Sequence, residues 1–116
     1  MKDFKSLKVW QKGIKLVVEI YKSSKNFPQE EIYGLISQMR RSSVSIPSNI
    51  AEGSGRSSDK DFHRFLEISL GSAFELETQM IIAHELEFLS DDKFNDLKEI
   101  IHEEQKMITG LQKSLK

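Results

Sequence analysis

The chain predicts an all-α protein, an antiparallel up-down-up-down four-helix bundle. Apolar residues recur at helical spacing in four segments, and no segment keeps the alternation of a half-buried strand. The breaks between segments carry helix stop and start residues, and they are short, which favours antiparallel neighbours. At 116 residues the chain is expected to be one domain, residues 1–116, around one core. A composition of 38% hydrophobic and 30% charged residues is that of a globular helical protein.

The first helix is expected from Leu7 to Lys25, with Leu7, Trp10, Ile14, Val17, Val18 and Tyr21 on its apolar stripe. It stops where Asn26, Phe27 and Pro28 forbid continuation. The opposite stripe is Lys5, Lys8, Lys12, Lys15 and Lys22. The second helix is expected from Gln29 to Ala51, with Glu30 and Glu31 at the positive end of its dipole. Its apolar face is Ile32, Leu35, Ile36, Met39, Ile46 and Ile50. Pro47 cannot donate to the carbonyl of Ser43, so a kink is expected there, with Ser42, Ser43, Ser45 and Ser48 available to the freed groups. Gly53 and Gly55 are expected to end this helix.

Ser58 followed by Asp61 reads as the cap of a third helix that runs to about Phe88. One of its stripes is Phe62, Phe65, Leu66, Ser69, Ser72, Leu76, Met80 and Ala83; Leu70, Phe74 and Ile81 point elsewhere. Two apolar faces on one helix need two partners. The fourth helix starts behind Ser90, with Asp91 and Asp92 in its first turn and Phe94, Leu97, Ile101, Ile108, Leu111 and Leu115 on its apolar side.

The absence of cysteine excludes disulfides, thiolate metal sites and cysteine nucleophiles, and fits a reducing compartment. The first ten residues lack the apolar run of a signal peptide, and no stretch approaches the ~20 apolar residues of a membrane span, so a cytoplasmic protein without membrane contact is expected. Net charge is −1, but residues 1–58 sum to +5 and residues 59–116 to −6. The chain is a dipole by sequence.

Several motifs point to chemistry. A di-metal carboxylate bundle needs two Glu-x-x-His pairs and two further glutamates, and this chain has one such pair, Glu99 and His102. Gly53-Ser-Gly-Arg56 lacks the Gly-Lys-Ser/Thr ending of a phosphate loop and has no strand before it. The serines at 42, 43, 45 and 48 have no base at a diagnostic spacing. No catalytic residue, cofactor, metal or small-molecule substrate is therefore expected. Cations are a more promising signal: Lys5, Lys8, Lys12, Lys15, Lys22, Arg40, Arg41 and Arg56 are candidate contacts to a phosphate backbone. Gly71, Ser72 and Ala73 form a small-residue run that suits close helix approach, and Leu70, Gly71, Phe74 and Ile81 are candidate subunit-interface residues.

The run Phe27-Pro-Gln-Glu-Glu-Ile-Tyr-Gly-Leu35, with Gln38-Met-Arg-Arg-Ser-Ser-Val-Ser-Ile-Pro-Ser-Asn-Ile-Ala-Glu-Gly53 and Asp61-Phe-His-Arg-Phe-Leu-Glu-Ile-Ser-Leu-Gly-Ser-Ala-Phe-Glu-Leu-Glu77, resembles a known family. It is the bacterial four-helix-bundle family named for proteins encoded in intervening sequences of 23S ribosomal RNA genes. The similarity extends from Phe4 to Leu111, and it departs at Ser69, where the family often has alanine. The resemblance implies a ring-shaped homopentamer and a kinship with the accessory protein of diversity-generating retroelements, a nucleic-acid-binding pentamer. The motif positions it carries over are Gln38, Arg40, Arg41, Asn49, Glu52, Gly53, Arg56, Gly71, Ser72 and Glu75, none catalytic. The leading expectation is a non-enzymatic homo-oligomeric binding module whose basic face engages RNA or an RNA-bound protein. The alternatives are a protein-interaction scaffold with no nucleic-acid role and, less favoured, a carboxylate metalloenzyme.

Overall fold

The computed structural model describes residues 3–115. Four helices dominate it: α1 (Lys8–Ser24), α2 (Leu35–Ser54), α3 (Asp59–Glu85) and α4 (Asp91–Ser114), with short 3₁₀ turns at Phe4–Ser6 and Gln29–Glu31. No strand occurs among the described residues. Each helix packs on its chain neighbours and α1 also packs on α4. The pairing of residues across each seam fixes the directions. Arg40 reaches Ser24 at one end of the α1–α2 seam while Gly13 lies against Pro47 at the other. Ser42 bonds Gln79 and Gly53 abuts Phe65 across α2–α3, and His84 bonds Asp91 while Gln112 bonds Glu67 across α3–α4. All of these seams are antiparallel. The longest dimension, 44 Å, is the length of α3, since 27 helical residues rise about 40 Å.

Capping chemistry sets two of the helix starts where the sequence places them. Ser58 Oγ accepts from the Asp61 amide at 3.1 Å, and Ser90 Oγ accepts from the Lys93 amide at 3.2 Å, each satisfying an amide that has no partner inside the helix. The start of α2 differs from expectation. The residues after Pro28 make only a 3₁₀ turn, the chain breaks at Gly34 (φ −111°, ψ −111°), and α2 begins at Leu35, whose amide donates to Glu31 Oε1. Ile32 and Tyr33 consequently face solvent.

The end of α3 also differs. The helix stops at Glu85, and Glu87 takes a left-handed backbone (φ 66°), with the Phe88 amide donating to Ala83 O at 2.8 Å and the Glu87 amide to His84 O at 3.0 Å. This is the Schellman closure that glycine usually provides. It turns Phe88 back against Phe27, their ring centroids 5.6 Å apart.

Core residues come from all four helices, among them Leu16, Ile46, Leu66, Leu76, Ile101 and Ile108, all fully buried. For α2, α3 and α4 the buried stripe is largely the one the spacing predicts. For α1 it is not. Val9, Gly13, Leu16 and Ile20 face inward, whereas Ile14, Val18 and Tyr21 are exposed and Leu7 and Trp10 pack at the core's edge. Gly53, expected as a terminator, lies within α2: a Cβ there would stand 2.6 Å from Phe65 Cβ, so its role is to let α2 and α3 approach. The helix stays continuous through Pro47. The neighbouring serines bond elsewhere: Ser43 Oγ donates to Arg40 O, and Ser42 Oγ to Gln79 Oε1 on α3 at 2.7 Å. Ser69 donates from α3 to Ile46 O at 2.9 Å, which satisfies its buried hydroxyl.

Candidate functional site

The eight cations singled out from the sequence do not form one surface. Lys8, Lys12, Lys15 and Lys22 share a stripe of α1, while Lys5 lies in the preceding 3₁₀ turn over the Phe4 ring. One edge of that stripe borders α4, while Lys8, Lys15 and Lys22 remain exposed. Lys12 pairs with Glu103, and Lys12 and Lys15 line a cleft of about 430 Å³ with Glu19, Asp96, Glu99 and Glu103. Lys22 stands 4.0 Å from Glu19. Lys12–Glu103 thus joins the basic first half of the chain to the acidic second half, and Lys93–Glu19 crosses the same seam in the opposite sense. The hydrogen bond and charge of Lys12 hold Glu103 below the ordinary carboxylate range.

Two arginines serve the fold. Arg40 donates from Nε to Ser24 Oγ at 3.0 Å and lies 4.6 Å from the Tyr21 ring centroid, tying α2 to the end of α1. Arg56 pairs with Glu52 at 2.9 Å one turn back and covers the Phe65 ring. Arg41 points away from both. It lines a polar cleft of about 420 Å³ between α2 and α3, with Gln38, Ser42, Ser45, Ser72 and Glu75. Four of these, Gln38, Arg41, Ser72 and Glu75, are motif positions of the family resemblance, gathered here by antiparallel packing. Ser45 and Ser72 hydroxyls meet at 2.8 Å across the seam, and Asn49 Nδ2 donates to Ser45 O and Oγ.

The candidate interface residues divide. Phe74 is 52% exposed and Ile81 is also exposed, but Leu70 leans on the core. The small-residue run does not admit a helix as a unit within the chain: Ala73 is buried and Ser72 bridges to α2, but Gly71 is exposed and a Cβ on it would meet no atom within 4 Å. Glu67, Phe74, Thr78, Ile81 and Glu85 fall on one exposed stripe of α3 by their spacing. A second exposed apolar band follows α1 through Ile14, Val18 and Tyr21, with Val44 of α2 exposed as well.

Glu99 and His102 gain no further ligands from the fold among the described residues. His102 Nε2 bonds Glu77 Oε2 on α3 at 2.6 Å, and no group of three or more His, Cys, Asp or Glu side chains converges on a metal position among the described residues. Burial pushes Glu77 upward, but hydrogen bonds from Gln105 and His102 outweigh it and hold the carboxyl below its ordinary value.

One group with unusual chemistry escaped the sequence reading. Glu104 is fully buried, and neither carboxylate oxygen has a hydrogen-bond partner. It occupies the α4 stripe between Ile101 and Ile108, where an apolar residue is expected, and that register is the signal that marks it out.

The fold and its surfaces define the class of protein first: a four-helix bundle whose distinctive features are outward-facing apolar stripes and a polar inter-helix cleft. The family model of the 23S rRNA-intervening sequence proteins matches residues 5–110, and the chain belongs to that family. A solved structure from Bacteroides thetaiotaomicron, described as a protein with unknown function from the S23 ribosomal protein family, is similar to it with a TM-score of 0.82 and 26% sequence identity, over 91% of this chain and 99% of that one. No curated protein matches. No described helix is long and apolar enough to cross a membrane.

Proposed function

We propose that this chain is a non-catalytic binding module that works as a homo-oligomer, its copies meeting head to tail. The observation that carries this reading is the pair of exposed apolar stripes on different sides of the bundle, Phe74 and Ile81 on α3 and Ile14, Val18 and Tyr21 on α1. Their flanks are complementary: Glu67 and Glu85 share the α3 stripe, and Lys15, Lys22 and Lys25 surround the α1 stripe. Contact between unlike faces is heterologous, and such contacts repeat until a ring closes. The resemblance implies five copies.

Phe74→Glu together with Ile81→Glu tests the interface by light scattering. The native chain is expected near the mass of five copies, and the double variant is expected as a folded monomer by circular dichroism. A monomeric native chain overturns the reading. Leu70 is left intact because it supports the core.

In the assembled particle, the exposed lysines Lys5 and Lys8 recur with each copy and present cations to RNA or to an RNA-bound protein. Structured RNA is expected to bind at low ionic strength, with affinity falling steeply as salt rises. A second reading, a protein-interaction scaffold with no nucleic-acid role, draws on Lys12, Lys22 and Arg56 already having carboxylate partners within the chain. Absence of RNA binding by an intact oligomer at low salt decides for the scaffold.

A further inference from the structure

Independently of any partner, Glu104 marks a junction of three helices. Its Oε2 lies where the side chain of residue 13 would be: a Cβ on Gly13 would stand 2.9 Å from that oxygen and 3.3 Å from Pro47 Cβ. Glycine within α1 weakens the helix, so the sequence gives up helix propensity at the one position whose vacant space the carboxyl fills. A carboxylate sealed there without a hydrogen bond carries a large desolvation penalty, while the neutral acid carries a much smaller one.

The surroundings offer no internal partner. The buried residues of α2 and α3 are all uncharged, and α2 meets the site with the Pro47 ring. Lys12 from α1 favours the ionised form, and Glu103 from its own helix opposes it; these two are paired with each other at the surface of the α1–α4 seam. Elsewhere on the same seam α1 and α4 border an open charged cleft lined by Lys12, Lys15, Glu99 and Glu103, the residue next to Glu104.

We propose that Glu104, Gly13 and Lys12 form a proton-controlled latch on the α1–α4 seam. With Glu104 neutral, its carboxyl stays packed against Gly13 and the seam is closed. With Glu104 ionised, the carboxylate swings outward to water and to Lys12, which leaves Glu103, and α1 and α4 separate locally. Burial pushes this carboxyl up to about 8, against the pull of Lys12, so the latch releases in mildly alkaline solution. In the open form the carboxyl titrates in the ordinary range. Between those two values the opening equilibrium therefore shifts tenfold per pH unit, and it levels off above about 8.

Hydrogen exchange of the intact chain, corrected for intrinsic rates, reads the latch from pH 5 to 9 in native protein and in Glu104→Gln. Native α1 and α4 amides near Gly13 and Glu104 are expected to lose protection by up to tenfold per pH unit while α2 and α3 keep theirs, and the Gln variant is expected to stay flat. Carbon NMR titration of the native Glu104 carboxyl gives a second readout that needs no variant, with a midpoint expected above the ordinary carboxylate range and no higher than about 8. Glu104→Met replaces the Gln variant if that one does not fold. An ordinary carboxyl midpoint, parallel native and variant profiles, or equal loss of protection in all four helices overturns the latch.

Discussion

At the scale of single residues, four positions show how close packing overrides side-chain preference. Gly53 sits where a Cβ would overlap Phe65, so Gly53→Ala must push α2 and α3 apart and is expected to cost about 1–3 kcal/mol in urea unfolding. Glu87 pays the left-handed penalty that glycine avoids, so Glu87→Gly is expected to stabilise the protein by ~1 kcal/mol, read as a higher urea midpoint at unchanged slope. Glu104 and Gly13 are coupled. Because the folded carboxyl holds its proton up to about 8 and the unfolded one releases it in the ordinary range, its contribution to stability is fully present below the unfolded value and is lost as pH rises through the folded one. Native stability relative to Glu104→Gln is accordingly expected to fall by roughly 1.4 kcal/mol per pH unit across that window. Calorimetric melting of both proteins at pH 5 and pH 8 checks the sign. The Glu77 carboxyl, held low by Gln105 and His102, acts in the opposite sense: its contribution is present above the unfolded value and fades as the solution is made more acid.

At the scale of elements, the caps of α3 and α4 were legible because their chemistry is local. Ser58 and Ser90 each satisfy an amide three residues on, and Ser58→Ala or Ser90→Ala is expected to cost ~1 kcal/mol, measurable by thermal unfolding. The beginning of α2 was not legible. Pro28 and the acidic pair Glu30 and Glu31 make a good helix start by local rules, yet the residues up to Gly34 form only a 3₁₀ turn. There Glu31 caps α2 from outside, through Leu35. The face of α1 failed for a different reason. Two apolar stripes of similar quality run along it, one through Ile14, Val18 and Tyr21 and the other through Val9, Leu16 and Ile20. Periodicity states that a helix has a stripe; it does not say which of two stripes meets the core. The small residue Gly13 lies in the inward one, where Glu104 and Pro47 need the room.

At the scale of the whole molecule, the exposed stripes and the charge separation bear on assembly. Phe74 is already about half buried, so covering the remainder would contribute about 1 kcal/mol per interface, and the proposed ring would repeat that gain at each contact. Phe74→Glu and Ile81→Glu are therefore expected to act on mass in solution far more than on the fold of one copy. The candidate cationic surface was only partly legible. The lysines of α1 share a stripe as expected, but α4 brings Glu99 and Glu103 beside them, and Arg40 and Arg56 turn out to hold α1 to α2 and to cover Phe65.

The sequence by itself determined the number of helices, two of their caps, most of the inward faces of α2 to α4 and the family, because each is written in local spacing or in a contiguous motif. Tertiary structure alone decided which face of α1 is buried, that Gly53 and Gly13 are there to admit Phe65 and Glu104, and which cations have partners within the chain. Those outcomes depend on side chains contributed by other helices, at distances along the chain that no local pattern records.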